Sequence, residues 1–119
     1  HEKKIGIDIE RLDRDFNYEK LSEKYFFNSK RSNNMSELYK NSILNQWCAV
    51  EAAIKWDHGK LSKDIKEWQY SENEKTLFHK KKKLKLKFTQ ITFYKWTISL
   101  AYKESSQFMS NIICSSRIF

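Results

Sequence analysis

Two acidic side chains near the start of the chain lie two residues apart in an alternating segment. Residues 4–10 alternate isoleucines with Gly, Asp and Glu, a pattern that predicts a half-buried strand. Asp8 and Glu10 then share the face opposite the isoleucines. Carboxylates that close repel each other and raise a pKa unless a cation neutralises them, and Mg²⁺ is the cation that prefers carboxylate oxygens. The pair is therefore a candidate magnesium site, and two acids on a solvent-facing strand are the alternative.

A third acidic side chain interrupts the apolar stripe of a long helix predicted over 37–57. Five residues share one face of this helix because they follow one another at spacings of three or four: Leu44, Trp47, Glu51, Ile54 and His58. An ionised carboxylate inside such a stripe is costly unless it is paired or binds a metal, so Glu51 is a candidate third ligand. The alternative is an ion pair between Glu51 and Lys55 at the edge of the stripe, worth about 0.2–0.5 kcal/mol.

The elements that must position these side chains follow from the remaining patterns. A shorter helix is predicted over 18–27, and Gly59 is expected to end the long helix. A strand followed by helices and then by several strands is typical of an α+β fold with an antiparallel sheet. The chain of 119 residues is expected to form a single domain, 1–119. Alternating patterns predict further strands at 64–70, 84–93, 96–102 and 107–114.

Composition narrows the class of protein. Apolar residues make up 39% of the chain and aromatic residues 15%, which argues against intrinsic disorder. Runs of about 18 apolar residues are absent from the sequence, so we expect no membrane span. The two cysteines, Cys48 and Cys114, lack the spacing of a zinc site or a disulfide framework. We interpret both as buried or bystander thiols in a reducing compartment, which predicts a cytoplasmic protein.

Positive charge is concentrated in the second half of the chain. The formal net charge is +8; residues 1–59 carry 10 basic and 10 acidic groups, whereas residues 60–119 carry 13 and 5. This asymmetry favours an acidic partner, namely a phosphate compound, a nucleic acid or an acidic protein, unless it reflects a lysine-rich composition alone. For the basic run His79–Lys83 we favour a solvated hairpin over a nucleic-acid site, because no aromatic residues are interleaved for stacking.

Three segments resemble, in order, the second half of the two-lobed phosphopantetheinyl transferases, in the superfamily of the holo-acyl-carrier-protein synthases. They are IGIDIE (5–10), Phe26–Phe27 and WCAVEAAIKWDHGKL (47–61). The family pattern is G-[IV]-D-[IV]-E, then F-F-S, then W-x-x-K-E-[AS]-x-x-K. The resemblance implies transfer of the 4′-phosphopantetheine arm of coenzyme A to a serine of an acyl or peptidyl carrier protein. It also implies that Mg²⁺ is required and that adenosine 3′,5′-bisphosphate is released.

The resemblance implies roles for four residues. Asp8, Glu10 and Glu51 would hold Mg²⁺ against the pyrophosphate of coenzyme A. Glu51, directly or through a metal-bound water, would also take the proton from the carrier serine. Lys55, one turn later, would bind the coenzyme phosphates and assist catalysis. A plain helix salt bridge explains Lys55 equally well. The carrier protein belongs to fatty-acid, polyketide or peptide synthesis, and the sequence does not distinguish these.

Departures from the family pattern leave other functions open. Val50 replaces the lysine before the motif glutamate, so we expect Val50 to border the site and coenzyme A to bind weakly. The first lobe and its coenzyme-binding histidine have no counterpart in the sequence. We therefore expect either a homo-oligomer, in which a second copy completes the pocket, or a missing N-terminal lobe. The alternatives are a decayed, non-catalytic lobe that acts as a binding module, and a basic nucleic-acid-binding domain.

Overall fold

The fold is that of a computed structural model, which describes residues 4–13, residue 20 and residues 37–104. The expected α+β class with an antiparallel sheet is confirmed. The shorter helix predicted over 18–27 lies outside the described residues except for Lys20, and the strand predicted over 107–114 lies wholly outside them. The elements are β1 (Gly6–Arg11), α1 (Glu37–Trp56), a helical turn α2 (Leu61–Asp64), a 3₁₀ turn (Ile65–Glu67), β2 (Trp68–Ser71), β3 (Thr76–His79), β4 (Leu84–Phe93) and β5 (Trp96–Tyr102).

The five strands form one antiparallel sheet in the order β1-β5-β4-β3-β2. The last four strands are joined as a meander, and β1 pairs with β5 at the far edge, with Gly6 opposite Ala101 and Arg11 opposite Trp96. Helix α1 packs on one face of this sheet, and the hydrophobic core lies between them. None of the helices in the described part of the chain combines the length and apolar character that crossing a bilayer requires.

The predicted bounds of two strands are confirmed and those of another are wrong. β4 and β5 span 84–93 and 96–102 as the alternation indicates. The strand predicted over 64–70 begins only at Trp68, because Ile65–Glu67 forms a 3₁₀ turn that buries Ile65. β3 was not predicted, since its four residues are too few to show a period beside the lysine run.

The end of α1 also differs from the expected glycine cap. His58, with a φ of 55°, adopts the left-handed conformation expected of Gly59. The amide of Gly59 donates to the Ile54 carbonyl and that of His58 to the Lys55 carbonyl, which together make a Schellman motif. Gly59 serves close packing instead, because a Cβ there would lie 2.6 Å from Oδ2 of Asp64.

Candidate metal centre

β1 lies unusually close to α1, and the residue types on both elements allow it. A Cβ on Gly6 would lie 2.9 Å from the Cβ of Trp56 and closer still to the Ala52 carbonyl. The facing helix surface carries the small side chain of Ala52, and the thiol of Cys48 donates a hydrogen bond to the Asp8 carbonyl at 3.3 Å. Gly6 therefore allows the main chain of β1 to approach the helix, which brings the next inward side chains against α1.

The two faces of β1 alternate as predicted, but the inward face is the acidic one. Asp8 and Glu10 are 3% and 9% exposed, whereas Ile7 and Ile9 are 47% and 53% exposed. The alternative of two acids on a solvent-facing strand is therefore wrong. Burial of carboxylates in preference to isoleucines is costly unless the charge is compensated, so the arrangement requires a cation or a proton nearby.

The three predicted metal ligands converge. Asp8, Glu10 and Glu51 each offer a carboxylate oxygen, and these atoms lie within 4.8 Å of one another. Two of the carboxylates project from β1, and Glu51 is half-buried on the facing surface of α1. The predicted meeting of these side chains is confirmed, while their role as ligands remains a prediction. We call these three residues the triad.

Lys55 places a positive charge beside the triad. Its ammonium donates a hydrogen bond to Oδ1 of Asp8 at 2.8 Å, and its own side chain is largely exposed. The expected alternative, an ion pair of Lys55 with Glu51 along the helix, is replaced by this bond across to the strand. The bond to Asp8, together with the charges of Asp8 and Glu51, raises the pKa of Lys55.

Glu51 carries the strongest electrostatic perturbation in the triad. Burial, followed by a hydrogen bond with Asp8 and repulsion from Asp8 and Glu10, raises the pKa of Glu51 to about 8, while Lys55 opposes the shift. Without a metal, Glu51 therefore keeps its proton at neutral pH. A bound cation would favour the ionised form and release that proton.

One oxygen of the triad has no partner. Oδ2 of Asp8 is buried and lacks a hydrogen-bond partner within the described part of the chain. Buried carboxylate oxygens are normally hydrogen-bonded or bound to a cation. Three carboxylates with one unsatisfied oxygen form a donor set of the kind that Mg²⁺ binds, so the residues present fit this ion.

Two neighbours of the triad were not recognised from the sequence. Thr97 and Ser99 lie opposite Glu10 and Asp8 in the β1–β5 ladder, and both are buried. The hydroxyl of Ser99 contacts Nε2 of Gln90, whereas that of Thr97 has no partner among the residues described. Only the strand register could reveal this contact, since both residues are distant from the triad in sequence.

The expectation that Val50 borders the site is wrong, whereas weak binding of coenzyme A stays a prediction. The side chain of Val50 is fully buried in the hydrophobic core, so position 50 does not face a solvent-accessible phosphate site. Trp47 is only half-buried, which means that the core-facing stripe of α1 is rotated from the one inferred through Trp47. The predicted site face ends at Glu51 and Lys55, because His58 follows the end of the helix and is exposed.

Seven of the lysines in the second half lie around α2 and the turn between β3 and β4, away from β1. Lys82 forms an ion pair with Asp57, and Lys81 lies 4.0 Å from Glu67. We call this group the basic cluster. All its members are exposed, as the predicted solvated hairpin requires, and they are Lys60, Lys63, Lys66 and Lys80–Lys83.

In comparisons with known proteins, no family model, no curated protein and no solved structure matches the chain.

Proposed function

We propose that this protein is a Mg²⁺-dependent transferase that moves the 4′-phosphopantetheine arm of coenzyme A to a serine of a carrier protein. The observation that supports the proposal is the meeting of Asp8, Glu10 and Glu51 around an unpartnered oxygen of Asp8. The reaction itself comes from the resemblance of segments 5–10 and 47–61 to the phosphopantetheinyl transferases. The site we propose is thus a cation site that would bind a pyrophosphate substrate.

Each side chain of the site has a chemical task in this proposal. Asp8, Glu10 and Glu51 would hold Mg²⁺, which when bound offsets the charge of the coenzyme pyrophosphate. Lys55 is exposed and flexible, so its ammonium can reach phosphate oxygens once the charge of Asp8 is shared with a cation. It would then stabilise negative charge that develops on those oxygens.

Glu51 is the proposed general base. Its carboxylate would take the proton of the carrier serine as the serine oxygen attacks the phosphorus atom attached to pantetheine. The bond from this phosphorus to the bridging oxygen breaks, and adenosine 3′,5′-bisphosphate leaves. Glu51 must be ionised for this task, and the bound cation would favour the ionised form.

The proposal also names partners. An acyl or peptidyl carrier protein would supply the serine, and the basic cluster would supply positive charge for an acidic carrier or for coenzyme phosphates. A second lobe or a second copy of the chain would complete the coenzyme pocket, and the cytoplasm would be the location. Each of these rests on the resemblance and not on a contact within the described residues.

A transfer assay tests the proposal. The chain is incubated with MgCl₂, coenzyme A and an apo carrier protein, and mass spectrometry measures addition of the phosphopantetheine arm to the carrier. We expect transfer by the wild type, and loss of at least about a hundredfold in Glu51→Gln, since a general base contributes roughly 10²–10⁴-fold.

The matched control is Glu74→Gln, because Glu74 is an exposed carboxylate away from the triad. This control is expected to keep wild-type activity. Transfer that is equal in Glu51→Gln and wild type would contradict the role of Glu51. Absence of transfer in a wild type that binds both Mg²⁺ and coenzyme A would contradict the reaction.

A non-catalytic binding lobe is the second candidate function. The observation that favours it is the bond of Lys55 to Asp8, because an ammonium and a protonated Glu51 already offset the charge of the triad. Val50 adds to this, since a buried valine stands where the family pattern has a lysine that binds phosphate. Calorimetry with MgCl₂ separates the two candidates, because a decayed lobe would bind no Mg²⁺.

A further inference from the structure

Two hydroxyl side chains of β5 lie beside the triad. Thr97 stands opposite Glu10 in the β1–β5 ladder. Ser99, two residues later, stands opposite Asp8, and both hydroxyl-bearing residues are fully buried. Side chains that are directly opposite in an antiparallel pair share a face, with Cβ atoms about 5 Å apart. The register therefore places one hydroxyl beside each carboxylate of β1, on the side that faces α1.

The hydroxyl of Ser99 is already engaged within the fold. It accepts a hydrogen bond of 2.9 Å from Nε2 of Gln90. The same Nε2 also donates to the Asn45 carbonyl, so the amide of Gln90 links β5 to α1. Ser99 thus has a structural partner that requires no cation.

The hydroxyl of Thr97 differs, because its oxygen has no partner in residues 4–13, 20 and 37–104. Its Oγ1 is buried and lacks a hydrogen bond there, as does Oδ2 of Asp8. An unpaired buried hydroxyl destabilises a fold, whereas valine has nearly the same size and suits a strand equally well. Burial alone therefore does not explain a threonine at this position. An open hydroxyl beside three carboxylates points to a ligand that completes the site.

Carboxylates that bind a metal are held in place by hydrogen bonds from the groups around them. In the triad, Asp8 receives such a bond from the Lys55 ammonium, and Glu51 is hydrogen-bonded to Asp8. Thr97 can serve Glu10 in the same way, since it is the cross-strand neighbour of Glu10 and its hydroxyl is open. An ionised carboxylate only accepts hydrogen bonds, and a hydroxyl can donate one.

We propose that Thr97 is a positioning residue of the triad, and that its hydroxyl donates a hydrogen bond to the carboxylate of Glu10 when Glu10 binds the cation. This bond fixes the orientation of the carboxylate, so that one oxygen stays directed at the ion while the other accepts from Thr97. The unpaired hydroxyl of the metal-free protein thereby gains its partner on binding.

This inference rests on the cation site of the proposed function, but it does not depend on the transfer reaction. It concerns only how tightly the ion is held. A wild type that binds Mg²⁺ and transfers nothing would contradict the reaction and leave the role of Thr97 standing.

Calorimetric titration of the metal-free 119-residue chain with MgCl₂ tests the proposal. We expect Thr97→Val to raise the Kd for Mg²⁺ by about 10–100-fold, the usual cost of removing a group that orients a metal ligand. Thr97→Ser keeps the hydroxyl and should bind Mg²⁺ nearly as tightly as the wild type. If Thr97→Val fails to fold, Thr97→Ala replaces it.

Urea unfolding without metal gives a second readout, which separates positioning from a structural role. Thr97→Val removes an unpaired hydroxyl, so its urea midpoint should equal or exceed that of the wild type. A residue that only supports the fold would show a lower midpoint in this variant. The expected signature is therefore weaker binding of Mg²⁺ without loss of metal-free stability.

Thr76→Val is the matched control, because Thr76 is a buried threonine of β3, and β5 and β4 lie between β1 and β3. It should leave the Kd for Mg²⁺ unchanged. Equal Kd values in Thr97→Val and wild type would overturn the proposal, as would a weakened affinity that Thr97→Ser does not restore. A wild type that binds no Mg²⁺ would overturn both this inference and the proposed function.

Discussion

Strand β1 and residues 84–88 of β4 belong to the same sheet but treat polar and apolar side chains in opposite ways. At the other end of β4, Phe93 is exposed, as the isoleucines of β1 are. In β4, Leu86 and Phe88 are buried under α1 and Lys85 is exposed, as hydrophobic burial dictates. In β1, the carboxylates are buried and Ile7 and Ile9 are exposed.

The difference indicates which part of the sheet is under a functional constraint. β4 makes its contribution through apolar burial, which needs no ligand. β1 buries charge that a cation or a proton must compensate, and it exposes Ile7 and Ile9 on its other face. Strands that break local rules are expected at sites where function imposes the sequence.

The largest expected effect is the difference in stability lost when a buried side chain of β4 or an exposed side chain of β1 is truncated. Leu86→Ala should lower the free energy of unfolding by about 2–5 kcal/mol, because it leaves a cavity in the core. Ile9→Ala removes a similar side chain from the exposed face of β1 and should lower it by no more than about 1 kcal/mol. Urea unfolding measures both. Equal losses would mean that Ile9 is part of a core.

A smaller effect is expected from Mg²⁺. An ion that binds only the folded state, at a concentration a hundred times its Kd, raises the free energy of unfolding by about 2.7 kcal/mol. The wild type, freed of metal with a chelator and then given MgCl₂, should gain stability of this order, and Asp8→Asn should gain none. Asp13→Asn is the control, since Asp13 pairs with Arg11 outside the triad. A gain in Asp8→Asn equal to that of the wild type would exclude the triad as the site.

The pH dependence of stability reports on Glu51. Its folded pKa of about 8 lies above its ordinary value of 4.5, so between these limits the folded state holds a proton that the unfolded state has lost. Metal-free stability should therefore fall as pH rises through this window, by less than about 1.4 kcal/mol per pH unit for this one proton. Urea unfolding across the window should show a flatter profile for Glu51→Gln. Parallel profiles would mean that Glu51 titrates normally.

The smallest effect is expected from Lys55. Because Lys55 lowers the pKa of Glu51, Lys55→Met should raise that pKa further, and it also removes the ammonium partner of Oδ1 of Asp8. Carboxyl ¹³C NMR measures the titration of Glu51. Lys63→Met, at an exposed site on α2, is the control and should leave it unchanged. A lower pKa in Lys55→Met would contradict the role given to its ammonium.

The sequence predicted which side chains of β1 share a face, but it predicted nothing about which face is buried. Alternation with a period of two only separates Asp8 and Glu10 from the isoleucines. The choice between the faces is made by tertiary packing, in which Gly6 lets the acidic face meet α1. The pattern alone predicts that the isoleucines are buried, since burial of apolar side chains is the general rule.

The same limit applies to α1. The interruption of its apolar stripe correctly marked Glu51 as the residue that meets the strand carboxylates. The contact of Lys55 with Asp8 and the burial of Val50 depend on how far the helix is rotated against the sheet, which helical spacing does not determine. Strands β4 and β5 were predictable because their alternation is long and coincides with ordinary burial.

The pairing of β1 with β5 has a consequence for how the chain folds. Strands β2 to β5 are successive neighbours, so their contacts are local and can form early. β1 must close nearly the whole chain length to meet β5, because Gly6 pairs with Ala101. Closure of so long a loop costs entropy before any contact is gained, so the edge strand is expected to dock last. The carboxylates of β1 are therefore expected to be held firmly against Glu51 only late in folding, when β5 supplies the strand with which β1 pairs.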